Sequence, residues 1–198
     1  MSQLVLSGSL KEFFRMLVGE VVKRQRVSIE EVTEFYVVNL LSEYAKAEKL
    51  FTQEVDGKRA AEPLAVLYHR ALQQEREEKI RTLRQLGDVS LYTAGFFNSS
   101  LKDSVVGADY YVQMGRNAYS AVADLAGNSS FASVYQELCL KFSTLVEVLE
   151  EISAQGLAAT GPQGQLKVFE NWSRTGNKRL EQVLIDAGML PSKKLMAN

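Results

Sequence analysis

The chain holds one histidine, His69, and one cysteine, Cys139. A single cysteine forms no internal disulfide, which points to a reducing compartment. A single histidine excludes the paired Glu-x-x-His ligands of a di-iron carboxylate bundle, and histidine-rich or four-cysteine zinc sites fail with it. A CxxCH haem attachment is missing as well, and so is a GxxxxGK[ST] phosphate loop. No apolar run approaches the roughly 20 residues of a membrane-spanning helix. The best stretch, 89–101, is short and carries Thr93, Asn98, Ser99 and Ser100. The opening MSQLVLSGSLKEFF lacks basic residues ahead of its apolar run, so a secretory signal is not expected and a cytoplasmic location is. The formal charge of −1, from 23 basic and 24 acidic side chains, argues against nucleic acid or anionic lipid as a partner over the whole surface.

What is present reads as helix. With 198 residues, 46% of them apolar, the chain can bury roughly 70% of its unfolded surface and needs no metal or disulfide for stability. Residues 2–6 are expected as an extended arm, and Ser9 as the N-cap of a first helix over 10–25. Its face is Phe13, Phe14, Leu17, Val18, Val21 and Val22. Ser28 and Glu31 have capping-box spacing at the start of a second helix that reaches Phe51. The loop 52–58, with Asp56-Gly57 as its turn, ends that helix. Pro63 suits the first turn of a long third helix reaching Leu86, with Glu75–Lys79 and Glu77–Arg81 pairs on its solvated face. Gly87-Asp88 is expected to break it, leaving a short helix over 88–98 with Tyr92 and Phe96 stacked.

A further helix, capped near Ser100, should reach Ala126 on the stripe Tyr111, Gly115, Ala118, Val122 and Leu125. Gly115 costs about 1 kcal/mol against alanine in mid-helix, so a ring or backbone should pack on its bare Cα. Ser129 or Ser130 caps the next helix, which keeps one apolar face from Phe131 to Ile152 and is expected to be the central one. The Gly/Ala/Pro segment 156–164 reads as a linker between a main bundle, 1–155, and a C-terminal hairpin with a frayed tail, 165–198. No strand alternation and no internal repeat are found. The fold class is all-α: one bundle-like domain of seven to eight helices with a C-terminal helical hairpin.

The chemistry is thin. Glu30, Glu31, Glu34 and Glu43 share a helix, but they read as a solvated face rather than a Mg²⁺ site. Cys139 on an apolar face reads as a small hydrophobe, and His69 as a boundary residue, not as a catalytic dyad. Lys23, Arg24 and Arg26 form one basic cluster, and Arg174, Lys178 and Arg179 another. Glu170, Glu181 and Asp186 dilute the second, so Phe169, Trp172 and Leu180 read as anchors of a packed hairpin.

One stretch, 87–119, crowds tyrosines and glycines. Tyr92, Phe96, Tyr110, Tyr111, Arg116 and Tyr119 are its candidate ligand- or partner-binding residues. Aromatic and glycine residues at helical spacing are core more often than ligand box, yet buried tyrosine hydroxyls need partners. The expectation is a non-enzymatic interaction or regulatory protein, a homodimer candidate, using helices 87–126 or the hairpin. A sensor bundle with an aromatic pocket for a small apolar or aromatic ligand is the alternative, and DNA binding through the hairpin is the second alternative. Neither cofactor nor metal is expected.

Overall fold

A computed structural model describes residues 2–51, 63–101, 106–127 and 129–191. These residues form ten helical segments and no strand, an all-α bundle. In order they are α1 (Ser2–Gln25), α2 (Glu31–Phe51), α3 (Leu64–Leu72), α4 (Arg76–Phe96), the four-residue α5 (Asn98–Leu101), α6 (Ala108–Ala126), α7 (Ser130–Leu140), α8 (Phe142–Ala159), α9 (Pro162–Thr175) and α10 (Lys178–Asp186). The turn expected at Asp56-Gly57 and the tail 192–198 lie outside the described residues.

Several expected boundaries move. Helix α1 begins at Ser2, so residues 2–6 are not an extended arm and Ser9 is not its cap. It ends with Arg26 in the left-handed region, φ 55°, while the Val27 amide donates to Val22 O. That bond closes a Schellman turn without glycine. Helix α2 starts at Glu31, which puts Glu31 at N1 rather than at the N3 position a capping box requires. The cap comes from another helix. The Glu30 amide donates to the Glu137 carboxylate of α7 at 3.1–3.2 Å. Lys141 Nζ holds that carboxylate at 2.7 Å and also donates to Ser28 O.

The long third helix is two helices. Pro63 is the N-cap of α3, and α4 starts afresh with Glu77 and Glu78 in its first turn, where acids suit the helix dipole. Leu64 and Leu86 share one apolar cluster. In a continuous helix they would stand about 33 Å apart, so the chain must reverse between them. Past that reversal α4 runs unbroken through Gly87-Asp88 to Phe96. Helix α6 begins at Ala108 rather than near Ser100. The helix expected over 130–155 bends once, at Lys141, although the Lys141 amide still reaches Glu137 O and the Leu145 amide reaches Lys141 O.

Helix α8 is the central element, packed against α1, α4, α6, α7, α9 and α10. Its first part, Phe142 to Ile152, belongs to the main core, whereas Ala154 and Ala158 belong to a second cluster with Val168, Trp172, Leu180 and Leu184. The segment 156–164 is therefore not a linker. Residues 156–159 complete α8, Thr160 and Gly161 make the turn, and Pro162 opens α9. Gly161, φ 101°, supplies a turn conformation that other residues resist. At Gly164 any side chain would strike the Leu157 carbonyl. Glycine and proline punctuate a tight corner here. The hairpin itself breaks at Gly176, with Asn177 Oδ1 accepting the Arg179 amide at 2.9 Å to cap α10.

Candidate functional site

The tyrosine-rich stretch divides into a sealed interior and an open cleft. In the interior, Tyr119 of α6 is wholly buried, and its ring lies on the bare Cα of Gly87. The Phe142 ring of α8 covers Gly115 in the same way. The Tyr119 hydroxyl donates to Asp88 Oδ1 at 2.8 Å, and the Tyr36 hydroxyl of α2 donates to the same oxygen at 2.5 Å. Arg84 Nε stands 3.8 Å from Asp88 Oδ2, one turn back along α4. Burial pushes the Asp88 carboxyl up to about 6, although the two hydroxyls and Arg84 pull it down. Burial and the Asp88 charge likewise hold the Tyr36, Tyr44 and Tyr119 phenols well above their ordinary range. Tyr135 is raised by burial against the opposing charge of Arg84. One carboxylate thus ties α2, α4 and α6 together.

Tyr92 is also buried. It stacks on Phe96 at 4.8 Å and 19°, as the spacing predicts, and on Tyr44 at 4.6 Å and 28°. The column Tyr44–Tyr92–Phe96 ends at the cleft. Tyr110 and Tyr111 meet edge to face at 5.6 Å and are half-buried. Arg116 is exposed and borders a separate recess with Asp109 and Cys139. Of the six sequence candidates, Phe96 alone lines the large cleft.

That cleft, about 880 Å³, lies among α1, the end of α4, the start of α5, α8, α9 and Leu180 of α10. Phe13 and Phe97, at 49% and 42% exposed, and Phe14 and Phe96 give it aromatic walls. Gly156 of α8 also lines it, and a Cβ there would meet nothing within 4 Å. Packing gives no reason for this helical glycine, which costs roughly 0.5–1 kcal/mol relative to alanine. The bare Cα leaves the cleft wider. Asn171 of α9 is 9% exposed, and its Oδ1 has no hydrogen-bond partner. The sequence gives no sign of Asn171 or Gly156, because the walls come from segments as far apart as α1 and α10. Phe13 was legible only as part of the α1 apolar face.

Several charged groups elsewhere are paired. Arg24 pairs with buried Glu151 at 2.5 Å and with Asp186 at 3.4 Å, Gln25 Nε2 donates to Glu151 at 2.6 Å, and Arg179 pairs with Glu147 at 2.8 Å. His69 is exposed on α3 and Cys139 half-buried on α7. Among the described residues no group of three His, Cys, Asp or Glu is placed to hold a metal ion, and no helix is long and apolar enough to cross a membrane. Comparison with protein-family models, curated proteins and solved structures gives no significant match.

Proposed function

We propose that the chain is a non-enzymatic, small-molecule-binding helical bundle whose site is the cleft between the bundle and the C-terminal hairpin. The observation that carries this reading is the combination at that cleft of exposed aromatic rings and a helical glycine that packing does not require. Its size falls within the roughly 300–1,000 Å³ of small-molecule sites, and apolar walls with few polar groups are their usual chemistry. The pocket is thus displaced from the tyrosine interior, whose hydroxyls on Tyr36 and Tyr119 are engaged by Asp88. Native mass spectrometry of the protein purified from its host tests the reading. A bound small molecule is expected, and Gly156→Leu, whose Cβ would meet nothing within 4 Å and whose side chain adds bulk at the cleft wall, is expected to remove it. A ligand retained in full by that variant would place the site elsewhere.

A second reading, self-association, draws on Val32 and Phe35 of α2, which are 62% and 60% exposed and one turn apart. Sedimentation velocity would then show a dimer that Phe35→Lys converts to monomer, and a wild-type monomer at high concentration would dispose of it.

A further inference from the structure

Resting on the cleft reading, we infer that its ligand is an uncharged molecule with a flat aromatic ring that stacks on Phe96, extending the column Tyr44–Tyr92–Phe96 by one layer. Tyr92 already stacks on two rings, Tyr44 at 4.6 Å and Phe96 at 4.8 Å. Phe97 instead meets Tyr92 edge to face, at 5.9 Å and 75°. Because the Phe96 ring is only 19° from the Tyr92 plane, Phe96 and Phe97 stand at a steep angle to each other. Both line the cleft, so they make a corner there. A ring lodged in that corner would stack on one and meet the other edge to face, the two arrangements that aromatic pairs prefer.

What a ligand would touch is mostly ring. The aliphatic lining residues Ile152, Val168 and Leu180 are at most 3% exposed, whereas Phe13 and Phe97 are open to solvent and Phe96 is half-buried. Leu17 and Leu157 add aliphatic edges. Ser153, Ala154 and Gly156 of α8 are small and leave room for a flat body. An aromatic box can also hold a cation, but tryptophan suits that task best, and the lining rings among the described residues are all phenylalanine. The charged lining residues are Lys167 and Arg174 against Glu150 and Glu170, two of each sign, and none is buried. An ion would leave water without a buried counter-charge, an expensive transfer that an uncharged ring avoids.

The test follows matched probes on the full chain by two-dimensional NMR: benzyl alcohol against cyclohexylmethanol, and 2-naphthol against decahydro-2-naphthol, with tetramethylammonium as the cation. Each pair keeps its skeleton and hydroxyl and loses only the aromatic ring. The saturated member is the more hydrophobic, so apolar burial alone would favour it. Wild type is expected to bind the aromatic member roughly two- to tenfold more tightly, the gain of one ring pair beyond burial. Nuclear Overhauser contacts should join the ligand ring to Phe96. In Phe96→Leu the preference should vanish, and in Gly156→Leu neither member should bind. Equal or tighter binding of the saturated members to the wild type overturns the aromatic rule and leaves the cleft reading standing. Tighter binding of tetramethylammonium overturns it in favour of a cation cage. A preference that comes without contacts to Phe96, or that survives Phe96→Leu, overturns the stacking. Failure of every probe to shift cleft resonances, or shifts unchanged by Gly156→Leu, overturns the cleft reading itself. The wild-type comparison needs no variant, so a misfolded Phe96→Leu would not rescue the inference.

Discussion

The ring of Tyr119 occupies the space where Gly87 would carry a side chain: a Cβ built there would stand 2.6 Å from the ring Cδ1. Gly156, also helical, has nothing within 4 Å of the same position. Alanine at the two sites should therefore act in opposite directions. Gly87→Ala overpacks a filled interior and is expected to destabilise by about 1–3 kcal/mol. Gly156→Ala gains helix propensity without a clash and should stabilise by about 0.5–1 kcal/mol. Urea unfolding of both variants measures the contrast, and a stabilising Gly87→Ala would contradict the packing described.

Asp88 makes the fold less stable as it ionises. Its carboxyl rises from an ordinary 3.8 to about 6 in the folded chain. Between those values the folded form holds a proton that the unfolded form has released, so stability falls as pH rises through this window and levels off above it. The interval corresponds to roughly 3 kcal/mol. Asp88→Asn keeps an oxygen for Tyr36 and Tyr119 and removes the titration. The difference in unfolding free energy between wild type and Asp88→Asn should change across that window. A constant difference from pH 4 to 7 would contradict it.

Glu137 works with the opposite sign. Burial favours its neutral form, but the bonds from Lys141 and the Glu30 amide outweigh that and hold its carboxyl below the ordinary 4.5. Its contribution is complete above 4.5 and is lost as the pH falls through the lowered value in the fold. Glu137→Gln should cost about 1 kcal/mol at neutral pH, the usual worth of a helix cap. Faster amide exchange confined to the first turn of α2 is the specific signature.

The two acids that meet Arg24 differ in burial: Glu151 is interior and Asp186 half-exposed. Arg24→Ala strands Glu151 with Gln25 alone and is expected to cost roughly 3 kcal/mol, the lower end for an uncompensated buried charge. Asp186→Ala should cost under about 1 kcal/mol, as exposed pairs do. Equal costs for the two would mean that Glu151 is not held as described.

Local patterns announced the helices and the hairpin, because apolar spacing and the Gly176-Asn177 break are properties of neighbouring residues. They also announced a ring or a backbone over Gly115, and the ring of Phe142 is what lies there. Gly87-Asp88 misled, since those residues alone resemble a helix stop. The buried positions Leu83, Gly87, Leu91 and Ala94 follow one another at steps of four, four and three, so Gly87 lies on the inner face of an unbroken α4. The cap of α2 was invisible for a different reason: its donor and acceptor are 107 positions apart. The cleft was illegible in the same sense. Its walls run from Phe13 of α1 to Leu180 of α10, and no window of sequence contains them.

Helix α8 belongs to two apolar cores, and the cleft opens where they meet. A molecule lodged there would bind only the form in which both are assembled. By mass action, a free concentration one hundred times the dissociation constant would add about 2.7 kcal/mol to that form. Occupancy would then raise the melting of hairpin and bundle together, because α8 carries both.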